Sequence, residues 1–222
     1  MIHQQPFAPL RGLIGSAIAI VALAVTTGAL AQDLVEGRNY ARLKNPQPVE
    51  TGKNIEVIEF FSYGCQHCGE LEPNLQAWLK NKPADVQLRR IPVMFQPRWE
   101  NLARVYYTLE AMGEENKLSP DIFSSIHAKG NQLWNEKEFF EWAAARGLDR
   151  KKVEELYASF TVVGKVNRAK QQAQVYQIQS VPTMIVDGKF VTGPERMQNG
   201  HAGIPAAIDA LVVKARAERP KS

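Results

Sequence analysis

Apolar positions fall into distinct patterns along the chain. Gly12 to Val25 is almost wholly apolar. Ile55 to Phe61 is a short dense run that predicts a buried central strand, broken by the charge of Glu59. From Cys65 to about Asn81, Leu71, Leu75, Trp78 and Leu79 recur at helical spacing, and Pro73 is expected to kink that helix. Val86 to Ile91 alternates apolar and polar residues, which predicts a second strand. Helix signals then dominate. Glu100 to Met112 ends at Gly113, and Ser119-Pro120 opens a helix reaching Gly130. Asn135 with Glu138 reads as a capping box for a helix stopping at Gly147, and Asp149 caps another that ends near Phe160. Lys165 to Ile178 carries Val166, Ala169, Ala173 and Tyr176 on one face. Thr183–Val186 and Lys189–Thr192 read as strands joined by an Asp187-Gly188 hairpin turn. Ile204 to Arg216 predicts a last amphipathic helix. Tyr40–Leu43 reads as a short edge strand, and residues 217–222 as a charged, frayed tail.

This order predicts an α/β domain interrupted by helices. Its first part spans residues 32–96, a helical subdomain covers 97–163, and 164–222 resumes the α/β pattern. The stretch before it has the form of a cleavable export signal. Arg11 precedes an apolar core of about 14 residues, short of the ~20 that span a membrane, and Ala29-Leu30-Ala31 is an A-x-A cleavage pattern before Gln32. Residues 1–31 are therefore expected to be removed, leaving a soluble exported protein. A formal charge of +4 over 222 residues is too mild and too scattered for a nucleic-acid surface.

Export sharpens the meaning of the 2 cysteines, Cys65 and Cys68. In an oxidising compartment two thiols are usually paired. A bridge closing a two-residue loop constrains the unfolded chain little, so redox chemistry explains the pair better than structural stapling. Cys65 at a helix start faces unpaired N–H groups and the positive end of the helix dipole, which favour its thiolate. Cys68, deeper in the helix, suits the resolving role. His67 reads either as an exposed helix residue without electronic effect or as an imidazolium favouring the Cys65 thiolate. Glu59 reads either as a solvent-facing edge charge or as a proton acceptor beneath Cys68, with Arg90 a candidate partner on the neighbouring strand. Val181-Pro182-Thr183 stands just before a strand, where proline is permitted for ordinary reasons.

Taken together, these residues resemble the thioredoxin superfamily and, within it, the DsbA-type periplasmic disulfide oxidases. The resemblance rests on Glu59, the Cys65-Gln66-His67-Cys68 motif, Pro73 and Val181-Pro182, and spans residues 32–216. It implies a thioredoxin fold with an inserted all-helical subdomain and a protein disulfide oxidoreductase needing no cofactor. It further implies Cys65 as nucleophile, Cys68 as its resolving partner, His67 as thiolate-tuning residue and Glu59 as the buried acid. Pro182 would be cis and face the disulfide, with Gln66, Val181 and Thr183 at substrate-binding positions. Reduced, unfolded exported proteins would be its substrates, and a DsbB-type, quinone-linked membrane oxidase would restore the disulfide of a monomeric enzyme. Gln66 departs from the family, where proline is common. Two other readings compete: a thiol reductant of the same fold, as used in cytochrome maturation, and a metal carrier using Cys65, His67 and Cys68. A structural zinc site needs four ligands and only His3, His127 and His201 remain, so no metal is expected.

Overall fold

β2 (Ile55–Phe61) is buried along its whole length. It has a strand on each side: β3 (Val86–Pro92) runs parallel to it and β4 (Thr183–Val186) antiparallel. β5 (Phe190–Thr192) and the two-residue edge strand β1 (Ala41–Arg42) complete a sheet of order β1-β5-β4-β2-β3. This computed structural model describes residues 1–3 and 34–220. The expected export signal thus lies, but for its first three residues, outside the described residues. Among the described residues no helix is long and apolar enough to cross a membrane.

Alternation along β2 divides the core. Ile55 and Val57 face one cluster, built from Leu71, Leu75 and Trp78 of α1 (Gln66–Asn81) and Ile204, Ile208, Leu211 and Val212 of α7 (Ile204–Glu218). Ile58 and Phe60 face the other cluster, under α2 (Pro97–Met112), α3 (Glu115–His127), α4 (Glu136–Ala144), α5 (Arg150–Tyr157) and α6 (Phe160–Val175). Each fully buried side chain of this size stabilises the fold by roughly 1.5–3 kcal/mol. Glu59, at the odd positions of β2, shares the α1 side with Val57.

β2 carries a second charge that the apolar reading passed over. Glu56 is fully buried, and its carboxylate accepts hydrogen bonds from Arg89 at 2.9 Å and from the Glu50 N–H at 2.9 Å. The β4–β5 turn is as expected: Asp187 and Gly188 both have positive φ, 54° and 62°. A Cβ on Gly188 would lie 2.0 Å from the Gln47 carbonyl, so glycine is obligatory there.

The helices depart from the sequence reading at four places. α3 begins at Glu115, before Ser119-Pro120, so Pro120 lies inside it. Proline lacks the N–H that would bond the Asn116 carbonyl, and Gln76 of α1 donates to that oxygen at 3.1 Å. The capping box of α4 is half formed: Asn135 accepts from the Lys137 and Glu138 N–H groups, while Glu138 accepts from Gln132 instead of Asn135. α6 starts at Phe160 because Ser159 caps it, so the expected boundary at 163 falls inside a continuous helix. The tail is not frayed through Arg219, whose guanidinium donates to the buried Asp187 carboxylate and to the carbonyls of Lys53 and Asn54.

Arg219→Ala leaves the Asp187 carboxylate with Lys189 as its cationic partner and the Lys53 carbonyl without its donor, while the Asn54 carbonyl keeps only the Thr51 hydroxyl. The variant is expected to lose about 1–3 kcal/mol in urea unfolding; a loss below about 0.5 kcal/mol would show the tail contact to be inconsequential.

Candidate active site

The turn between β2 and α1 fixes the cysteines. The Cys65 N–H donates to the Ser62 carbonyl at 3.0 Å, and the Gly64 N–H to Ser62 Oγ at 3.1 Å. Gly64 is glycine because the Trp99 ring lies against it; an added Cβ would sit 2.3 Å from Trp99 Nε1. α3 clasps the same turn from the helical side. The Tyr63 hydroxyl lies 2.7 Å from Ser119 Oγ, and His127 Nε2 is 2.8 Å from the Tyr63 carbonyl, to which it donates.

Cys65 is the N-cap of α1 in extended conformation, with no capping side-chain hydrogen bond, so the first helical N–H groups face its sulfur. Its pKa is lowered from the ordinary 9.0 to about 6. The largest cause is a hydrogen bond from the Cys68 thiol. Partial burial opposes it, and the backbone N–H groups of Cys68 and His67 and the His67 charge assist. Cys68 is fully buried, and that burial pushes its thiol well up. The two sulfurs stand as a dithiol with opposite tendencies.

The loop before β4 supplies the facing wall. The Val181–Pro182 peptide is cis, and Cys65 Sγ lies 3.5 Å from the Val181 carbonyl, to which the thiol donates. A groove of about 390 Å³ opens beside them, lined by His67, Val181, Pro182, Pro194, Glu195 and His201 among others. Thr183 is buried and spends its hydroxyl on the Ser180 carbonyl at 2.8 Å, shaping this loop from behind. Gln66 is exposed and donates to Glu70 at 3.1 Å. His67 is exposed too, its Nδ1 2.8 Å from Glu70 Oε2, and this hydrogen bond raises its pKa.

Beneath Cys68 lie three buried charges. β2–β3 register sets Glu59 opposite Arg90, and Arg90 Nε approaches Glu59 Oε2 to 2.9 Å. The angle there is not that of a hydrogen bond, so both Glu59 oxygens lack one among the described residues. Arg90 instead spends its hydrogen bonds on Glu72 of α1, at 2.6 and 3.3 Å. Glu59, buried with its charge only partly compensated, has its pKa raised to about 7, chiefly by burial and against the pull of Arg90. Of the expected site residues, His67, Val181 and Pro182 line the groove, Cys65 stands beside it against the Val181 carbonyl, Cys68 is buried behind Cys65, and Glu59 lies below. Glu72 was missed, although its place one turn after Cys68 on the buried stripe of α1 is a legible signal.

Residues 56–204 match the family model described as the DSBA-like thioredoxin domain. The chain is 37% identical over 200 residues to the thiol:disulfide interchange protein DsbA of Bordetella parapertussis, covering 90% of this chain and 95% of that one. It is 36% identical to the protein of the same name from Pseudomonas aeruginosa, covering 96% and 100%. The crystal structure of Pseudomonas aeruginosa DsbA superposes with a TM-score of 0.78 at 35% identity, over 84% of this chain and 97% of that one. Reduced DsbA1 of Neisseria meningitidis gives 0.74 at 31%, over 83% and 96%. The chain belongs to the DsbA family. It is a thiol:disulfide oxidoreductase on a thioredoxin fold, and disulfide exchange of this DsbA type needs one thiolate-forming and one buried cysteine, which is the asymmetry seen here.

Because burial raises the Glu59 pKa, its contribution to stability is fully present below pH 4.5 and lost as pH rises through about 7. The stability of the protein minus that of Glu59→Gln is expected to fall between those pH values in urea titrations. A flat difference curve would place the Glu59 charge in solvent.

Proposed function

We propose that this chain donates the Cys65–Cys68 disulfide to reduced, newly exported proteins in the periplasm. The observation that carries the reading is the opposed environment of the two sulfurs, with Cys65 at the groove and its thiolate favoured while Cys68 is buried and its thiolate disfavoured. A substrate thiolate attacks Cys65 Sγ of the disulfide. The new bond joins substrate sulfur to Cys65, the Cys65–Cys68 bond breaks, and Cys68 leaves and takes a proton. Glu59, with a pKa near 7, is placed to hold that proton. A second substrate thiolate then attacks the substrate sulfur of the mixed disulfide, and Cys65 departs as a stabilised thiolate.

The groove residues divide the remaining work. The cis loop at Val181–Pro182 offers backbone groups to an extended substrate segment beside Cys65. His67, held by Glu70, adds positive charge near the departing sulfur. The enzyme acts as a monomer after loss of residues 1–31, and a DsbB-type, quinone-linked membrane oxidase accepts the electron pair from the dithiol. A reductant of the same fold would need its disulfide to be the stabler form; the depressed Cys65 pKa runs the other way.

Two experiments test the residue roles. Cys65→Ser is expected to abolish oxidation of a reduced peptide, whereas Cys68→Ala, given the disulfide form of the peptide, accumulates a mixed disulfide as the Cys65 thiolate attacks that disulfide and releases the other peptide thiol. Normal turnover by Cys68→Ala would overturn the assignment. In metal-free buffer the ultraviolet absorbance of the Cys65 thiolate should titrate near pH 6, and His67→Ala should move that midpoint upward. An unchanged midpoint would remove His67 from the mechanism.

A further inference from the structure

One side-chain cluster beside the groove joins the His67–Glu70 pair to a third residue, His201, that thiol exchange does not use. His67 and Glu70 lie one turn apart on α1, with Nδ1 2.8 Å from Oε2. His201 reaches them from the 3-10 turn Gly200–Gly203 that precedes α7. Its ring stacks on that of His67, centroids 5.7 Å apart and planes inclined by 23°. His201 Nδ1 is 3.8 Å from the same Glu70 oxygen, beyond hydrogen-bond reach, and its Nε2 is buried without a partner. Among the described residues, neither ring nitrogen of His201 is hydrogen-bonded, although the ring is largely covered. Polar atoms left so inside a fold call for an explanation, and a bound ion is one.

We propose that His67, Glu70 and His201 form a site for a divalent transition cation of the zinc class. One ligand atom from each lies within 4.8 Å of the others. Zinc with bonds of about 2.0–2.2 Å draws its ligand atoms to roughly 3.5 Å of one another, a closure that small rotations of three partly exposed side chains supply. Two imidazoles and a carboxylate suit zinc or copper, and three protein ligands leave a position for water. The cluster answers the ligand count that told against a metal from sequence alone: the missing donors are Glu70 and a histidine over a hundred residues from the motif, and no cysteine is needed. His67 and His201 also line the groove with Val181 and Pro182. An ion here stands on the path to Cys65 and slows disulfide donation; that consequence rests on the proposed function, while the binding itself does not.

The binding test uses untagged, fully oxidised protein, in which the closed disulfide keeps sulfur from ligating. Calorimetric titration with Zn²⁺ is expected to show one ion per chain. His201→Ala and Glu70→Gln, checked for an unchanged thermal midpoint, should each bind at least about tenfold more weakly. On the unaltered protein, Zn²⁺ should shift the imidazole NMR signals of His67 and His201 and leave those of His127 in place, which decides the matter even if a variant fails to fold. No binding at millimolar Zn²⁺, equal affinity in the variants, or a shift centred on His127 would overturn the proposal. Since no thiol takes part, such a failure would leave the disulfide-donor reading untouched.

Discussion

The molecule depends on an unequal sharing of one charge between two sulfurs. Cys65 caps α1 where the helical N–H groups are unpaired, and it takes a hydrogen bond from the buried Cys68 thiol. Both effects stabilise a thiolate that exists only when the disulfide is open. Stabilisation available only to the reduced state is stabilisation the disulfide lacks, and that difference drives transfer of the bond to another protein. The sign follows from linkage. A depressed Cys65 pKa stabilises the reduced protein fully above pH 9.0, progressively less between pH 9.0 and about 6, and not below.

The rest of the fold holds that asymmetry in place. β2 delivers the turn, and Trp99 packed on Gly64 leaves it one shape. Ser119 and His127 of α3 bind Tyr63 by side chain and backbone, so the helical region anchors the turn as well as covering it. Below, Arg90 is shared between Glu59 and Glu72, but its hydrogen bonds go to Glu72. Breaking such a buried pair usually costs several kcal/mol, about 3–5, because a lone charge remains. The uneven division leaves Glu59 able to change protonation near neutral pH, beneath a thiol that must gain and lose a proton.

Local signals in the sequence carried much of this. The dense run into Cys65, the helical stripe of α1 and the positive-φ pair Asp187-Gly188 are short-range patterns, and each element lies close to its expected place. What escaped was set by tertiary packing. Glu56 and Glu72 sit among apolar neighbours, and their burial is made tolerable by Arg89 and Arg90 on β3, helped by the Glu50 N–H and the Gln76 amide. The early start of α3 depends on Gln76 of another helix serving the carbonyl that Pro120 cannot. His201 lies in a loop without periodicity, so nothing local ties it to His67. The cis Val181–Pro182 bond was implied by family resemblance and not by any local pattern.

The redox equilibrium between this protein and glutathione tests the central claim most directly. If the Cys65 thiolate stabilises the dithiol, the reduced form predominates in glutathione buffers oxidising enough to keep an ordinary structural disulfide closed, and lowering the pH toward 6 weakens that preference. A closed Cys65–Cys68 bond in excess reduced glutathione, insensitive to pH, would contradict it.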